Sequence, residues 1–245
     1  MDRELVELHR ARQVIYAALA EVFLQVPEAS MLQRQMGEKI FGCFPLETNR
    51  PEVAEGVACL RQWEEPVAAG SLEEAVRGLR QDYTRLFMGP GRVLAPPWES
   101  VYRTEERLLF REPAMQVRNF YRRHGLEVPR LNQEPDDHFG LELAFMAVLA
   151  ERTAGALEKA GAGIVAVAGG EAVAGQNLAE ARYLVEEQHN FLREHLGQWV
   201  EPFTLDVERK ATTAYYRGIA LVTRGFIMDD EEWLLQDILP LGGYR

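Results

Sequence analysis

The spacing of the apolar residues is the feature that most restricts the fold of this 245-residue chain. Large apolar side chains recur every three or four residues through most of the sequence, which is the period of an α-helix with one buried face. The opening twenty-odd residues are an example, with Arg12 as their only interruption and Pro27 as their end. The sustained alternation of a strand series is missing from the sequence. We therefore predict an all-α fold.

Start and stop signals divide the chain into individual helices. Ser71 and Glu74 form a capping box, in which each side chain accepts a hydrogen bond from the other residue's backbone amide. The helix opened by Asp136 is apolar on almost every face, so we expect it to lie at the centre of the fold. The other helices are expected over residues 30–44, from residue 51, from 71 to 87, 100–110, 113–121, 178–196, 215–222 and 229–239.

Two regions are expected to interrupt this pattern. The segment around Pro202 is predicted to be partly broken, and Asp229 and Pro240 are predicted to cap and stop the last helix. Residues 161–175 are rich in Gly, Ala and Val and are predicted to form a flexible connection. This leaves two organisations open, a single domain over 1–245 or two halves at 1–155 and 176–245.

Composition and charge exclude several classes of protein. A hydrophobic content of 47% is ample for a buried core, but the sequence lacks the uninterrupted apolar run of a membrane span and the layout of a secretory signal. Cys43 and Cys59 are too few for a disulfide framework or a four-cysteine zinc site, so we expect a cytoplasmic protein. The net charge of −11 argues against nucleic-acid binding; it either favours basic partners or only keeps the protein soluble.

The residues that could support catalysis form no complete site. Glu186 and His189 supply one Glu-x-x-His motif of a carboxylate-bridged di-metal bundle, but the second motif that such a site needs is missing. Neither cysteine lies in an activating motif, and Ser100 lacks a glycine elbow and is better interpreted as a helix cap. We predict no catalytic residue, no metal site and no cofactor, with a di-metal enzyme as the alternative hypothesis.

A binding site is better supported, in two segments. Residues 83–102 run from the end of one predicted helix through a loop to the start of the next, and they are unusually apolar for a solvated connection. Residues 134–138 lie at a loop-to-helix junction. The first supplies a rigid wall that suits an apolar peptide: Leu86, Phe87, Pro96, Pro97, Trp98 and Tyr102. The carboxylates expected to receive basic residues of the peptide are Glu99, Glu134, Asp136 and Asp137. The residues alone leave open whether the wall binds a peptide or plugs the core, and whether the second segment only caps its helix around a buried His138.

These two segments also carry a resemblance to a known family. Leu86-Phe-Met-Gly-Pro-Gly-Arg-Val-Leu-Ala-Pro-Pro-Trp-Glu-Ser-Val-Tyr102, followed by Glu134-Pro-Asp-Asp-His138 with its E-P-x-D-H pattern, resembles the signature pair of the TorD/DmsD/NarJ family of redox-enzyme maturation chaperones. Residues 191–199 are similar to a C-terminal helical motif of the same family. The resemblance implies a single domain of about ten helices, no catalysis, and a monomer or a domain-swapped dimer.

The resemblance also implies a partner. Members bind the twin-arginine signal peptide, and often the apo form, of a molybdopterin-dependent oxidoreductase, and so prevent export before the cofactor is inserted. Carried onto this sequence, the peptide site comprises Leu86, Phe87, Pro96, Pro97, Trp98, Ser100, Tyr102, Asp137 and His138, with Asp136 among the carboxylates and with Glu134 and Pro135 shaping the loop. Binding of guanine nucleotide, associated with some members, stays open. We expect no nucleic-acid partner and no stable membrane insertion.

Overall fold

A computed structural model describes residues 3–41, 46, 48–89, 93–104, 109, 112–128, 135–165 and 170–242. Every regular element in these ranges is helical, and the only β-type pairing within them is an isolated bridge between Trp98 and His138. The prediction of an all-α fold is therefore confirmed. The α-helices are α1 (Arg3–Leu24), α2 (Ala29–Gly37), α3 (Pro51–Ala69), α4 (Leu72–Tyr83), α5 (Glu99–Arg103), α6 (Glu112–Arg123), α7 (Phe139–Val165), α8 (Gly170–Phe191), α9 (Gly197–Lys210) and α10 (Ala214–Gly242).

Helix α7 is the central helix, as its apolar sequence predicts. It packs along α1 on one side and α8 on the other. Three aromatic rings meet at its first turn: Phe139 lies 5.0 Å from Phe23 of α1 and 4.5 Å from Phe203 of α9, measured between ring centroids. Each such buried side chain stabilises the fold by about 1.5–3 kcal/mol. The start of α7, which follows the second signature segment directly, is therefore anchored in the core.

A buried ion pair ties the first helix to the last. Arg12 and Asp230 both have fully buried side chains, and a guanidinium nitrogen donates to Oδ2 of Asp230 at 2.9 Å. The hydroxyl of Tyr16 donates to the same oxygen at 2.7 Å. The charged residue that interrupts the apolar spacing of α1 is thus neutralised within the core, as a buried charge requires.

Helices α3 and α10 approach each other at a pair of glycines. A Cβ atom added to Gly56 would lie 2.7 Å from the backbone oxygen of Gly218, and one added to Gly218 would lie 2.7 Å from the backbone oxygen of Gly56. Any larger side chain at either position would force the two backbones apart. The glycine pair therefore sets the distance between these helices.

Two π-helical segments overlap stretches that carry the family resemblance. Thr84–Met88 extends α4, and Leu192–Leu196 joins α8 to α9. Next to the first of them, Asp82 accepts hydrogen bonds from the backbone amides of Thr212 and Thr213 at 2.9 and 2.8 Å, so it caps α10 from another helix. π-turns are frequent at functional sites, since they re-aim the side chains that follow.

Two predicted helices are shorter than expected. The helix predicted over 30–44 ends at Gly37, because Lys39 has a φ of 51°, outside the right-handed helical region. The helix predicted over 100–110 ends at Arg103, where Thr104 is extended. Residues 42–45, which include Cys43, and Phe110 lie outside the described residues.

In three places the helices extend further than predicted. Both ends of the connection predicted over 161–175 are helical, since α7 continues to Val165 and α8 begins at Gly170, and residues 166–169 lie outside the described residues. Pro202 lies inside α9, and Asp229 and Pro240 lie inside α10. A glycine costs a helix about 1 kcal/mol relative to alanine, and a proline removes one backbone hydrogen bond, so tertiary packing overrides either. The organisation into one domain or two halves stays a prediction.

Candidate functional site

The two signature segments are hydrogen-bonded into one unit. The backbone amide of Glu99 donates to the carbonyl of Asp137 at 3.0 Å, and that of Phe139 donates to the carbonyl of Pro97 at 2.8 Å. Between these bonds lies the isolated bridge of Trp98 and His138, whose rings meet edge to face with centroids 5.9 Å apart. Backbone pairing of this kind fixes the register of both loops. Segments that are separate in the sequence therefore present one shared surface.

Side chains of each segment also cap the helices that follow. Asp137 Oδ2 accepts from the backbone amide of Ser100 at 2.8 Å, so Asp137 caps α5 across the interface, and Ser100 is not itself the cap. His138 Nδ1 accepts from the amide of Gly140 at 3.1 Å and caps α7. The prediction that Asp136 caps α7 is wrong, because its carboxylate points to Arg118 at 2.7 Å.

The N-terminal part of the first segment belongs to the core. Leu86 is completely buried, and Phe87 lies 5.2 Å from Tyr83 and 5.7 Å from Tyr216 between ring centroids. The carbonyl of Leu86 accepts from the amide of Ala95 at 2.8 Å, which fastens the loop to this anchor. This part of the segment is a core plug that positions the residues after Ala95.

The carboxylates expected at a solvent-facing rim are buried instead. Glu99 pairs with Arg103 and with His195, whose Nδ1 lies 3.0 Å from Glu99 Oε2. Asp136 pairs with Arg118, and Asp137 caps α5. Burying a neutral polar group without a hydrogen-bond partner costs about 1–3 kcal/mol, and burying an unpaired carboxylate costs more. Each of these buried carboxylates is therefore paired with donors inside the protein. The expectation of an acidic rim at these three residues is therefore corrected; Glu134 lies outside the described residues.

Beneath the loops, burial shifts the pKa values of several groups. Burial raises the pKa of Glu142 well above its usual range, and the charges of Glu99 and Asp137 raise it further. The Glu142 Oε2 atom accepts from the indole nitrogen of Trp199 at 3.1 Å, while Oε1 has no hydrogen-bond partner among the described residues. Burial also raises the pKa of Asp137 and lowers the pKa of His138 to about 4. His138 is therefore neutral at pH 7, and the shift at Glu142 favours its protonated form.

The exposed edge of the unit lines a cleft of about 480 Å³. Pro96 and Trp98 come from the predicted site and are half-buried. Tyr102 is also half-buried, with its ring stacked on Trp199 at 5.6 Å between centroids and its hydroxyl 3.2 Å from Asp206 Oδ2. Tyr102 itself does not line the cleft; besides Pro96 and Trp98, the lining residues are Val93, Leu94, Val101, Leu109, Asp206 and Lys210. The remaining predicted site residues that the structure describes are buried: Leu86, Phe87, Pro97, Ser100, Pro135, Asp136, Asp137 and His138.

Asp206 and Lys210 are the two charged residues among those that line the cleft, and sequence reasoning missed both. They lie one turn apart on α9, a few residues after the motif that ends at Trp199. Nothing in their local sequence distinguishes them from an ordinary exposed helix pair. The cleft thus offers an apolar wall opposite one carboxylate and one ammonium group, an arrangement suited to an apolar segment with an adjacent charge.

Two other regions are less well supported as functional sites. A cleft of about 580 Å³ between α1, α2 and α7 is lined by Val14, Leu24, Ile40 and Val148 with glutamates at its edges, and it contains no predicted site residue. The di-metal motif is not assembled, because Glu186 pairs with Arg182 at 3.0 Å. In the described part of the chain, no three metal-binding side chains lie close enough to hold an ion. No helix in those ranges has the length and apolar character of a membrane span.

Comparisons with known proteins find one matching family and several related chaperones. The sequence profile of the nitrate reductase delta subunit family matches residues 50–205. The chain is similar to the probable Tat proofreading chaperone DmsD of Haemophilus influenzae, with 28% identity over 60% of this chain and 59% of the relative. Identity to the Tat proofreading chaperone DmsD of Salmonella typhi is 38% over 35% of this chain and 42% of the relative. The chaperone protein TorD of Vibrio cholerae is 25% identical over 96% of both chains.

Proposed function

Because the chain belongs to the nitrate reductase delta subunit family, we propose that it acts as a redox-enzyme maturation chaperone. The resemblance to the TorD/DmsD/NarJ family is confirmed by the family match and by relatives that are named TorD and DmsD. Those relatives are chaperones by name rather than enzymes, and the di-metal alternative has no support among them.

The proposed client is a molybdopterin-dependent oxidoreductase with a twin-arginine signal peptide, held in the cytoplasm until its cofactor is inserted. The name Tat proofreading chaperone, carried by two of the relatives, supports a signal peptide as the ligand. Such a peptide joins a basic end to an apolar segment. Both parts are complementary to a cleft that has an apolar wall and the carboxylate of Asp206.

One observation carries the proposal: Pro96 and Trp98 line an open cleft from a unit in which both signature segments are hydrogen-bonded together. The wall is held from below by the Leu86 anchor and by the caps of Asp137 and His138. A wall that is already rigid loses little conformational freedom when it binds, so more of the contact energy appears as affinity. We infer that the buried signature residues act by positioning and that the half-buried ones make contact.

The proposal is tested by titrating synthetic twin-arginine signal peptides of the molybdoenzymes encoded in the same genome into the protein. Isothermal calorimetry is expected to show saturable binding that Trp98→Ala weakens by about 2 kcal/mol, as for a central aromatic contact. Met115→Ala is the control, because Met115 is exposed on α6 and does not line the cleft. Absence of heat with every peptide would refute the proposal. Equal losses of affinity in both variants would refute the assignment of the cleft.

A further inference from the structure

A lysine side chain connects the two walls of the cleft. Lys210 Nζ donates to the carbonyl of Leu94 at 2.7 Å and lies 2.8 Å from Asp206 Oδ1. Leu94 belongs to the loop that carries the apolar wall, whereas Asp206 and Lys210 belong to α9. The ammonium group of Lys210 therefore holds the position beside Asp206 that a cation of the ligand would need.

The contacts of this lysine leave its side chain free to exchange. The side chains of Lys210 and Asp206 are 37% and 28% exposed, and ion pairs at such sites are weak because water and salt screen them. The backbone carbonyl of Lys210 accepts from the guanidinium of Arg85, so the backbone stays fixed when the side chain leaves. Displacement thus costs one screened ion pair and one hydrogen bond to Leu94.

Arginine is better suited than lysine to take this position. A guanidinium presents a planar fork of donors that can hold a carboxylate through two parallel hydrogen bonds, whereas an ammonium acts as a single point charge. Asp206 already has one oxygen held by the hydroxyl of Tyr102 at 3.2 Å, which orients the carboxylate towards the cleft. An incoming arginine therefore gains a geometry that Lys210 does not have.

We propose that Lys210 is an internal substitute for the cation of the ligand, which an arginine of the bound peptide displaces from Asp206. Asp206 is then the residue that distinguishes arginine from lysine or a neutral side chain in the ligand. Loss of the Lys210 contact also frees the carbonyl of Leu94 from its hydrogen bond to α9. This inference rests on the proposed function, since it takes the twin-arginine peptide as the ligand.

The test measures the affinities of one signal peptide in three forms, with its arginine pair intact, replaced by two lysines, or replaced by two glutamines. Unmodified protein is expected to bind these in descending order of affinity. Asp206→Asn is expected to weaken the arginine form about tenfold and leave the glutamine form unchanged, because only the charged fork contact is lost. Glu201→Gln makes the same charge change at an exposed position of α9 away from the cleft and is expected to change neither.

Two substitutions of Lys210 are expected to change the affinity for the arginine peptide in opposite directions. Lys210→Met removes the competitor, so it is expected to tighten binding of the arginine form about fivefold without tightening that of the glutamine form. Lys210→Arg places a stronger competitor for Asp206 in the protein and is expected to weaken binding of the arginine peptide. This variant keeps the test decisive even if the methionine variant folds poorly.

Different results would refute the proposed function and the displacement of Lys210. If unmodified protein binds none of the three peptides, the proposed function is refuted. If it binds them but Asp206→Asn leaves their ratio unchanged, or Lys210→Met weakens the arginine form, only the displacement by arginine is refuted.

Discussion

The raised pKa of Glu142 gives a prediction that reverses the usual effect of removing a buried carboxylate. Replacing Glu142 by glutamine keeps the shape and removes the titration. In the native protein burial and the charges of Glu99 and Asp137 raise the pKa of Glu142, so the folded state keeps a proton that the unfolded state releases. For a group with a raised folded pKa, stability falls as the pH rises from the unfolded pKa towards the folded one.

The size of the effect follows from proton linkage. Between those two pKa values, one retained proton lowers the free energy of unfolding by about 1.4 kcal/mol per pH unit. From pH 5.5 upwards the stability of Glu142→Gln relative to unmodified protein should therefore rise with this slope until the folded pKa of Glu142 is reached. Urea denaturation of both proteins at several pH values in this range measures the difference.

The control for this prediction is Glu151→Gln, which makes the same substitution at an exposed position of α7. Its stability relative to unmodified protein should not vary with pH over the range. If Glu142→Gln were less stable than unmodified protein by a constant amount, Glu142 would be ionised and paired in the native state, and the reasoning from burial would be wrong.

Three further predictions concern the framework around the site. Asp230→Ala should cost about 3–5 kcal/mol in urea denaturation, since it removes the carboxylate that pairs with the buried guanidinium of Arg12. Burial alone would raise the pKa of Asp82, but hydrogen bonds from Arg85 and Thr213 outweigh burial and lower the pKa below 3.8. The stability that the ionised Asp82 contributes is therefore present above pH 3.8 and is lost as the pH falls further. The stability deficit of Asp82→Asn should therefore shrink on acidification, as chemical denaturation at pH 7 and pH 3 can measure. Ser71→Ala should cost about 1 kcal/mol, because the Ser71 hydroxyl caps α4, and thermal unfolding should detect it.

Local signals were sufficient for much of the fold. The Ser71 cap and the fully apolar helix after Asp136 were correct because each is decided by residues within one or two turns. The early end of α2 was not predictable, since a left-handed residue at Lys39 has no strong sequence signal. Pro202 was misjudged because a proline marks a break in an isolated helix, whereas packing of Trp199 and Phe203 in the core holds α9 together.

The candidate site was only half predictable for a similar reason. Both segments were identified from the sequence, and their pairing follows from the structure alone, through bonds such as that between Phe139 and Pro97. The burial of Asp136 depends on Arg118, which comes from another helix. Asp206 and Lys210 become candidate site residues only because the fold places the loop at Leu94 opposite them.

The most direct test of the central claim is the map of backbone amides protected from hydrogen exchange by a saturating twin-arginine signal peptide. We expect added protection in residues 93–104 and 204–210, which flank the cleft of Trp98 and Asp206. Amides along the cleft between α1, α2 and α7 should keep their exchange rates. Protection confined to that second cleft would contradict the account, because the peptide would then be bound away from both signature segments.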